Sequence, residues 1–222
     1  MKVRIWDLPL RVFHWLLVLL IVFSWITGQI GGNLIQLHFW SGYCILALTL
    51  FRILWGLVGS HHARFWNFIP GPRTLFNYLR GKLYDPVGHN PVGALSVIAL
   101  LTATLLQALS GLFANDDIAS EGPLVKFISK ALSDRISHFH EINQTVLLGL
   151  IAVHLAAIFF YLLIKRKNLI RPMLSGDKEL SPARPIAASS DGWLTRLFAL
   201  LLLAACALLV YGVVNQKLPF SF

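Results

Sequence analysis

Residues 138–163 read HFHEINQTVLLGLIAVHLAAIFFYLL, a run that is almost entirely apolar after Gln144. A helix needs about 20 apolar residues to cross the roughly 30 Å core of a bilayer, so this run predicts a transmembrane helix. His140 and His154 are fourteen residues apart in it. At about 3.6 residues per turn, that spacing returns both imidazoles to one helix face, about 21 Å apart along the axis. Histidine inside a membrane usually marks a proton, metal or ligand site, so one helix offers two candidate metal ligands.

Two further histidines lie in other apolar runs. His14 is near the start of the first run, RVFHWLLVLLIVFSWITG, and His38 opens the second, LHFWSGYCILALTLFRILWG. A zinc site gathers its ligands at one point with bonds of about 2 Å, whereas these four histidines fall at two depths. Two haems, each held between two imidazoles, suit that pattern better. The sequence has no C-x-x-C-H motif, so such haems would be noncovalent and b-type.

The composition indicates an integral membrane protein. Only 13% of the residues are charged and 56% are hydrophobic. Five apolar runs are long enough to span a bilayer as helices, namely residues 12–29, 37–58, 92–113, 140–164 and 194–214. The first run lacks a clean small-x-small cleavage site and carries His14, so we expect it to be retained and not removed as a signal peptide. The predicted fold class is all-α, with five transmembrane helices.

The basic residues predict an orientation in the membrane, because cytoplasmic segments carry an excess of Lys and Arg. If the five spans alternate, one side receives only Lys126, Lys130, Arg135 and Lys217. The other side receives Lys2, Arg4, Arg11, Arg64, Arg73, Arg80, Lys82, Lys165, Arg166, Lys167, Arg171, Lys178, Arg184 and Arg196. We expect the N terminus in the cytoplasm and the C terminus outside. The net charge of +9 is then explained by the orientation of the chain in the membrane. Nucleic-acid binding is the weaker explanation, because no basic patch belongs to a soluble module.

The chain divides into a four-helix part and an accessory span. Residues 1–178 contain four spans and all four intramembrane histidines. Residues 179–193 are polar and rich in Pro and Ser, which predicts a linker. The last span, within residues 194–222, has no histidine, so we expect it to serve packing or a partner subunit.

Two segments outside the spans have helical character. PRTLFNYLRG, residues 72–81, predicts a short interfacial helix with apolar side chains towards lipid. On the other side, Pro123 predicts a helix start, followed at helical spacing by Leu124, Phe127, Ile128, Ala131 and Leu132. Covering helix ends and docking a partner are equally good explanations for both segments.

The predicted orientation pairs the histidines. His38 and His140 both open their helices at the outer face, so they would share one haem, and His14 would pair with His154 towards the cytoplasm. If the first helix starts at residue 12, His14 lies closer to the cytoplasmic end of its span than His154 does. A helix start near Leu8 or Pro9 reduces this difference in depth. His138 competes with His140, but it lies about 160° away from the face of His154, so we favour His140.

Four other side chains are candidates for cofactor contacts. Arg11 and Arg52 lie near the cytoplasmic ends of their helices, where long basic side chains ordinarily extend to the interface. Pairing with haem propionates is the alternative, since guanidinium suits carboxylates. His89 and Asn90, at the start of the third span, either serve the helix start or contact a propionate or a quinone.

Four motifs together resemble the bacterial cytochrome b561 family. They are WDLPLRVFHW (6–15), LHFWSGYCILALTLFRILWGLVG (37–59), GHNPVGALSV (88–97) and the run from Phe139 to Gly176 that includes HEINQTVLLGLIAVH. The family includes the b subunit of membrane-bound NiFe hydrogenases and is similar to the gamma subunit of formate dehydrogenase. The resemblance covers about residues 4 to 178, and the combination is more specific than any single motif.

The resemblance implies a four-helix bundle in the bacterial inner membrane that holds two b haems. By motif, the axial ligands fall on His14, His38, His140 and His154. It also implies electron exchange between a redox partner, such as a periplasmic cytochrome or oxidoreductase subunit, and membrane quinone. The fifth helix departs from the four-helix pattern, so the partner need not be a hydrogenase.

Three functions remain open from the sequence. The first is an electron conduit, which carries electrons between a periplasmic redox protein and quinone. The second is a stand-alone superoxide:quinone oxidoreductase, and the third is a haem-free transporter or structural subunit. For the quinone we favour a cytoplasmic site near Arg11, His89 and Asn90, with an outer site near Asn33 and Gln36 as the alternative.

Overall fold

The computed structural model describes residues 2–82, 87–118, 120–179 and 187–216, which are mostly helical. Two short strands, β1 (Lys2–Arg4) and β2 (Asp177–Glu179), pair antiparallel with Val3 opposite Lys178. The α-helices are α1 (Leu8–Ile30), α2 (Ile35–Val58), α3 (Phe65–Phe68), α4 (Pro72–Leu79), α5 (Pro91–Gly111), α6 (Lys130–Leu163), α7 (Ile170–Ser175) and α8 (Trp193–Val214).

Five helices of the described chain are long and apolar enough to cross a membrane: α1, α2, α5, α6 and α8. This confirms the expected fold class and the five spans. Large apolar side chains point outward from them, including Leu19 at 65%, Val153 at 68% and Leu208 at 70% exposure. Such surfaces suit contact with lipid chains, where helices satisfy their backbone hydrogen bonds internally.

Helix α1 begins four residues before the predicted span, at Leu8. The cause is the sequence Asp7-Leu8-Pro9. The Asp7 carboxylate accepts a hydrogen bond from the backbone N–H of Leu10 at 2.7 Å, and proline fits the first turn of a helix because its missing N–H is not needed there. His14 therefore lies nearly two turns inside the helix.

Helix α6 corrects the predicted start of the fourth span at residue 140, because it begins at Lys130 and runs for 34 residues. At about 1.5 Å per residue it is about 51 Å long, well beyond the apolar thickness of a bilayer. Its first turns are polar and amphipathic, so a criterion based on hydropathy misses them. Because the helix is continuous, His140 and His154 keep the predicted fourteen-residue geometry.

The single outer helix predicted from Pro123 is also wrong. A short 3-10 turn covers Val125–Phe127, and Ile128 then adopts an extended conformation with φ −130° and ψ 163°. Ser129 starts a new helix, with its Oγ accepting from the N–H of Leu132 at 3.4 Å. The apolar residues do have helical spacing, but the extended residue Ile128 divides them between the 3-10 turn and α6. The short helix predicted within residues 72–81 is present as α4, Pro72–Leu79; its interfacial position stays a prediction.

The chain forms two compact units, each built from three stretches. Unit 1 comprises Met1–Val12, Arg52–Leu100 and Leu150–Leu200. Its core joins distant stretches through Asp7, which is fully buried and accepts hydrogen bonds from Trp55 Nε1 at 3.1 Å and from Ser60 Oγ. Trp55 is itself only 1% exposed.

The described end of the predicted linker packs into unit 1. The N–H of Ser189 donates to the carbonyl of Arg4 at 2.8 Å, and its Oγ donates to the carbonyl of Ile5 at 2.6 Å. Asp191 accepts from the N–H of Leu8 at 3.1 Å and pairs with Arg4 and Arg196. This segment therefore ties the start of α8 to the N-terminal strand; residues 180–186 of the linker lie outside the described residues.

Unit 2 comprises Phe13–Phe51, Leu101–Gly149 and Leu201–Phe222. Its core cluster consists of Leu46, Ala47, Leu112 and Val210. Val210 lies on α8, so the fifth helix contributes buried surface to the unit that contains His38 and His140. Cys206, one turn earlier, is also only 3% exposed.

Candidate haem-binding site

The imidazole of His38 lies in the first turn of α2 and is fixed from the neighbouring helix. Its Nδ1 lies 2.8 Å from the carbonyl of Ser24 and 3.2 Å from the Ser24 Oγ. A protonated Nδ1 donates to that carbonyl, which leaves Nε2 as the basic nitrogen. Gly28 permits this position, because a Cβ there would stand 2.8 Å from His38 Nδ1.

His140 on α6 is fixed in the same way. Its Nδ1 lies 2.9 Å from Ser110 Oγ on α5. The Ser110 hydroxyl donates to the carbonyl of Gln107 at 3.1 Å, so its oxygen accepts from Nδ1–H of the imidazole. Gly111 leaves space for the ring, since a Cβ at that position would lie 3.1 Å from His140 Cε1.

The two rings lie close together inside unit 2 in an edge-on arrangement, with centroids 6.3 Å apart and planes at 82°. A metal held between two imidazoles needs about 2 Å for each bond and about 1.1 Å from each nitrogen to its ring centre, hence about 6.2 Å between centroids. The observed spacing fits a bis-imidazole iron. A hydrogen bond at the distal ring nitrogen is also the usual partner of a metal-bound imidazole.

A partly open cavity of about 250 Å³ surrounds the two rings. Its walls are mainly apolar, and Gly42 belongs to them; a Cβ at Gly42 would meet nothing within 4 Å. Polar groups lie along part of the lining, from Gln107, Asn115, Asp116, Ser120 and Gln144. A largely apolar cavity with a few polar groups suits a flat macrocycle that carries polar substituents on one edge.

His138 does not line this cavity and is exposed on α6. This agrees with the preference for His140, which follows from helix geometry. The remaining two candidate ligands lie in different units: His14 in unit 2 and His154 in unit 1. Both are partly buried, and the ring of His14 stands edge-on to Trp15 at 5.0 Å. Their pairing stays a prediction.

Arg52 is buried in unit 1, with only 2% of its surface exposed. It does not extend to the interface as a long basic side chain ordinarily would. Its guanidinium lies over the ring of Phe65 at 4.9 Å, and its Nη1 has no hydrogen-bond partner among the described residues. Because burying an unpaired charged donor is costly, this atom suits an anionic oxygen such as that of a haem propionate.

Arg11 is more fully engaged with protein groups. Its Nη1 donates to the carbonyl of Leu174, and its Nη2 lies 4.0 Å from Asp191. Only its buried Nε has no partner in the described chain. Of the two arginines, Arg52 is the better candidate for a cofactor carboxylate.

Asn90 serves the start of α5. Its Oδ1 accepts from the N–H of Gly93 at 2.7 Å, and its Nδ2 donates to the Tyr161 hydroxyl at 2.9 Å. The Tyr161 hydroxyl is also 2.9 Å from that of Tyr78 on α4. The side-chain oxygen of Asn90 thus caps the helix, and its amide positions a tyrosine.

His89 lies between two aromatic rings, with centroids 4.7 Å from Trp6 and 4.4 Å from Phe68. Burial, together with the positive charge of Arg52, lowers the pKa of His89 to about 3. The imidazole is therefore neutral at physiological pH. Its buried Nδ1 has no hydrogen-bond partner within the described ranges.

Sequence reasoning missed the residues that hold the imidazoles, above all Ser24 and Ser110. The sequence did offer one signal for them. A serine inside an apolar helix indicates a hydrogen bond to the backbone or to a neighbouring helix. The contact from Tyr161 to Asn90 had no comparable signal. In the described residues, no three side chains of His, Cys, Asp or Glu cluster as a metal site.

Comparison with known proteins identifies the family of the chain. The sequence profile of the family described as "Prokaryotic cytochrome b561" matches residues 5–176. The probable Ni/Fe-hydrogenase B-type cytochrome subunit of Azotobacter vinelandii is 26% identical over 220 residues, covering 82% of this chain and 91% of the relative. That of Bradyrhizobium diazoefficiens is 24% identical, covering 80% and 86%.

A third relative, the probable Ni/Fe-hydrogenase 1 B-type cytochrome subunit of Escherichia coli, is 21% identical and covers 48% of this chain and 57% of its own length. No solved structure gives a significant match. The family profile covers most of the chain, including His14, His38, His140 and His154. The chain therefore belongs to the prokaryotic cytochrome b561 family, the bacterial multi-pass membrane cytochromes that use haem b in electron transfer.

Proposed function

We propose that this protein carries electrons through two b haems between a periplasmic redox protein or oxidoreductase subunit and the quinone pool. The observation that carries the proposal is the pair of neighbouring imidazoles of His38 and His140, whose ring centroids are 6.3 Å apart in a mainly apolar cavity. Haem supplies reversible one-electron chemistry at its iron, and the protein supplies ligands, burial and hydrogen bonds.

The residues around the first site have distinct tasks. His38 and His140 would hold the haem iron through Nε2. Ser24 and Ser110 hold each ring by Nδ1, which fixes its orientation and raises its basicity as a ligand. The apolar lining limits water, and burial of this kind tunes the reduction potential.

The second haem would be held by His14 and His154. The continuous helix α6 supports this assignment, because it carries His154 on the same face as His140, four turns further along. The guanidinium of Arg52 would pair with a haem propionate. Arg11 is a weaker candidate for the same role, because it is already bonded to protein groups. Residues 1–178 would form the haem-binding part, and the span within 194–222 would serve packing or a partner subunit.

The basic residue distribution supports a cytoplasmic N terminus, which puts the His38–His140 haem on the periplasmic side. Electrons would then enter or leave through a redox partner at that face. The relatives are named as hydrogenase cytochrome subunits, which supports an oxidoreductase subunit as the partner.

The quinone would bind in unit 1 near His89. Neutral imidazole offers both a donor and an acceptor to a quinone head group, and the Nδ1 of His89 is not used by the described protein. Asn90 is committed to Gly93 and Tyr161, so we assign it a positioning role. The competing outer site would use Asn33 and Gln36.

The experiment is haem reoxidation by a quinone analogue in the full-length protein. His89→Phe keeps a ring between Trp6 and Phe68 but removes the nitrogen donors. We expect slower reoxidation with an unchanged absorption spectrum and two haems per chain by pyridine haemochrome. The matched control is Asn33→Ala with Gln36→Ala, which should reoxidise normally. A defect in the control and none in His89→Phe would move the quinone site to the other face.

A further inference from the structure

The quinone site proposed in unit 1 needs a source of protons, and His89 cannot supply them. Reduction of a quinone adds two electrons and two protons and forms an O–H bond at each carbonyl oxygen. The pKa of His89 is about 3, so at pH 7 only about one imidazole in ten thousand carries the extra proton. The neutral ring can hydrogen-bond to a quinone, but another group has to provide the protons.

His62 is a titratable side chain beside this site. It lies in the 3-10 turn His61–Ala63, between α2 and α3, and is half-buried. A Cβ built on Gly88 would stand 3.4 Å from His62 Nδ1 and 3.8 Å from the ring of Trp6. Trp6 in turn lies 4.7 Å from His89, centroid to centroid. His62 therefore packs against the residue that directly precedes His89.

The ring of His62 has a fixed orientation. Its Nε2 lies 2.8 Å from the carbonyl of Ala187, and a carbonyl only accepts, so Nε2 carries the hydrogen and donates. The neutral ring therefore has its lone pair on Nδ1, the nitrogen that lies nearest to Gly88. A proton gained at Nδ1 is consequently held on the side of His89.

The surroundings of His62 make its cation a better acid. Burial is the main influence and lowers the pKa of His62 below its usual value of 6.5. The positive charges of His61 and Lys178 lower this pKa further, while the hydrogen bond to Ala187 opposes the shift. The charged form thus releases its proton more readily than an ordinary histidine, which is the property of a proton donor.

The other charged groups around His89 have different tasks. Arg52, His62 and His154 lie close enough for their charges to lower the pKa of His89. Arginine keeps its proton throughout the physiological range, and His154 is assigned to a haem iron. The carboxyl of Asp7 is held by three hydrogen bonds. This leaves His62 as the group suited to proton transfer.

We propose that His62 transfers protons between surface water and a quinone bound at His89. The inference rests on the quinone site proposed above and adds the proton source to it. For each proton, the N–H bond at His62 Nδ1 breaks and an O–H bond forms on a quinone oxygen, and water then returns a proton to Nδ1. The two electrons come from the redox partner through the haems. Quinol oxidation would pass protons to the neutral ring by the same atoms.

The test compares two oxidants of the reduced, full-length protein. Decylubiquinone takes up electrons and protons, whereas ferricyanide takes up electrons alone. His62→Gln keeps an amide donor for the Ala187 carbonyl but removes the titratable ring. We expect decylubiquinone to reoxidise this variant at least about tenfold more slowly, because a positioned proton donor contributes about 100-fold or more and water replaces part of that. Its reoxidation by ferricyanide, its haem content and its absorption spectrum should be unchanged.

Two further readouts separate proton transfer from a structural effect. Added imidazole should restore the rate of His62→Gln, and tetramethylammonium at the same concentration should not, because it has no proton to give. In the unmodified protein, the rate with decylubiquinone should fall as pH rises through the pKa of His62, below 6.5, because the cation is lost. This step should be absent from His62→Gln. The profile of the unmodified protein needs no variant, so a flat profile below pH 6.5 would by itself overturn the proposal.

His61→Gln is the matched control, because it removes an exposed imidazole from the same turn. It should react with both oxidants like the unmodified protein. Three results would overturn the role of His62: equal slowing of the two variants, slowing of His62→Gln with ferricyanide as well, or a normal rate of His62→Gln with decylubiquinone. A normal rate of His89→Phe with decylubiquinone would instead overturn the quinone site on which this inference rests.

Discussion

The imidazoles of His38 and His140 owe their positions to small groups on neighbouring helices. Each ring is bonded at Nδ1, to the Ser24 carbonyl or the Ser110 hydroxyl, and each is approached by a glycine that leaves it space. A ligand held in this way keeps one tautomer and one orientation before the metal arrives. Much of the proposed haem site is therefore set by residues that carry no charge.

Gly42 gives a direct test of the cavity. It lines the cavity, and its own Cβ would meet no atom within 4 Å, so Gly42→Leu places a bulky side chain in the proposed haem space while both histidines remain. We expect this variant to insert and fold but to lose one of the two haems. The measurement is the pyridine haemochrome content per polypeptide.

Gly149→Leu is the matched control for that variant. Gly149 also has nothing within 4 Å of its added Cβ, but it is exposed on α6 and outside the cavity. Haem content should stay at the level of the unmodified protein. If Gly42→Leu retained both haems, the cavity around His38 and His140 would not be the haem site.

At the level of single helices, the start of α1 depends on one buried carboxyl group. Asp7 is fully buried and accepts hydrogen bonds from Leu10, Trp55 and Ser60. Burial raises the pKa of Asp7 above its usual range, although those three hydrogen bonds oppose the shift. The same residue caps α1 and joins it to the end of α2.

The raised pKa of Asp7 predicts a pH dependence of stability. The folded protein binds a proton more tightly than the unfolded chain, so the contribution of Asp7 is greatest below the unfolded pKa and is lost as pH rises through the folded pKa. Asp7→Asn should flatten the thermal stability profile over the pH range above the unfolded pKa, where that contribution is lost. Asp7→Ala also removes the cap and should cost about 1–2 kcal/mol at every pH. An unchanged profile in Asp7→Asn would assign the dependence to another group.

Helix α6 shows what periodicity can and cannot predict. The fourteen-residue spacing of His140 and His154 needs only helical geometry, and the structure keeps it in one unbroken helix. The sequence prediction missed the helical turns from Lys130 to Phe139. A hydropathy criterion detects apolar residues that can span a membrane, and these turns are polar although they are helical. The predicted outer helix is interrupted at Ile128, whose extended backbone ends the helical pattern. Nothing in the local sequence indicates that this residue is extended.

Across the complete chain, α8 is integrated into the fold even though it has no candidate ligand. Cys206 and Val210 are each 3% exposed, and Val210 packs with Leu46 and Leu112 in unit 2. Truncation after Lys178 should therefore keep both haems in an inserted protein but lower its melting temperature. Loss of a haem in a stably inserted truncation would give α8 a direct role in the site.

The sequence was sufficient for the five spans and the all-α class, because apolar length is a local property; the histidine ligands stay a prediction. It was not sufficient for contacts between distant segments. Ser189 bonding to Arg4 and Ile5, and Asp191 bonding to Leu8, join parts of the chain more than 180 residues apart. The burial of Arg52 was missed for the same reason, since its surroundings come from Phe65 beyond the helix end.

The most direct measurement is the haem content of His38→Ala, His140→Ala and the double variant, with His138→Ala as the control. If His38 and His140 bind one iron together, each single variant should retain one haem per chain, and the double variant should also retain one. His138→Ala should retain two, because that side chain is exposed outside the cavity. Additive loss, with one haem missing from each single variant and both missing from the double variant, would contradict the shared axial pair.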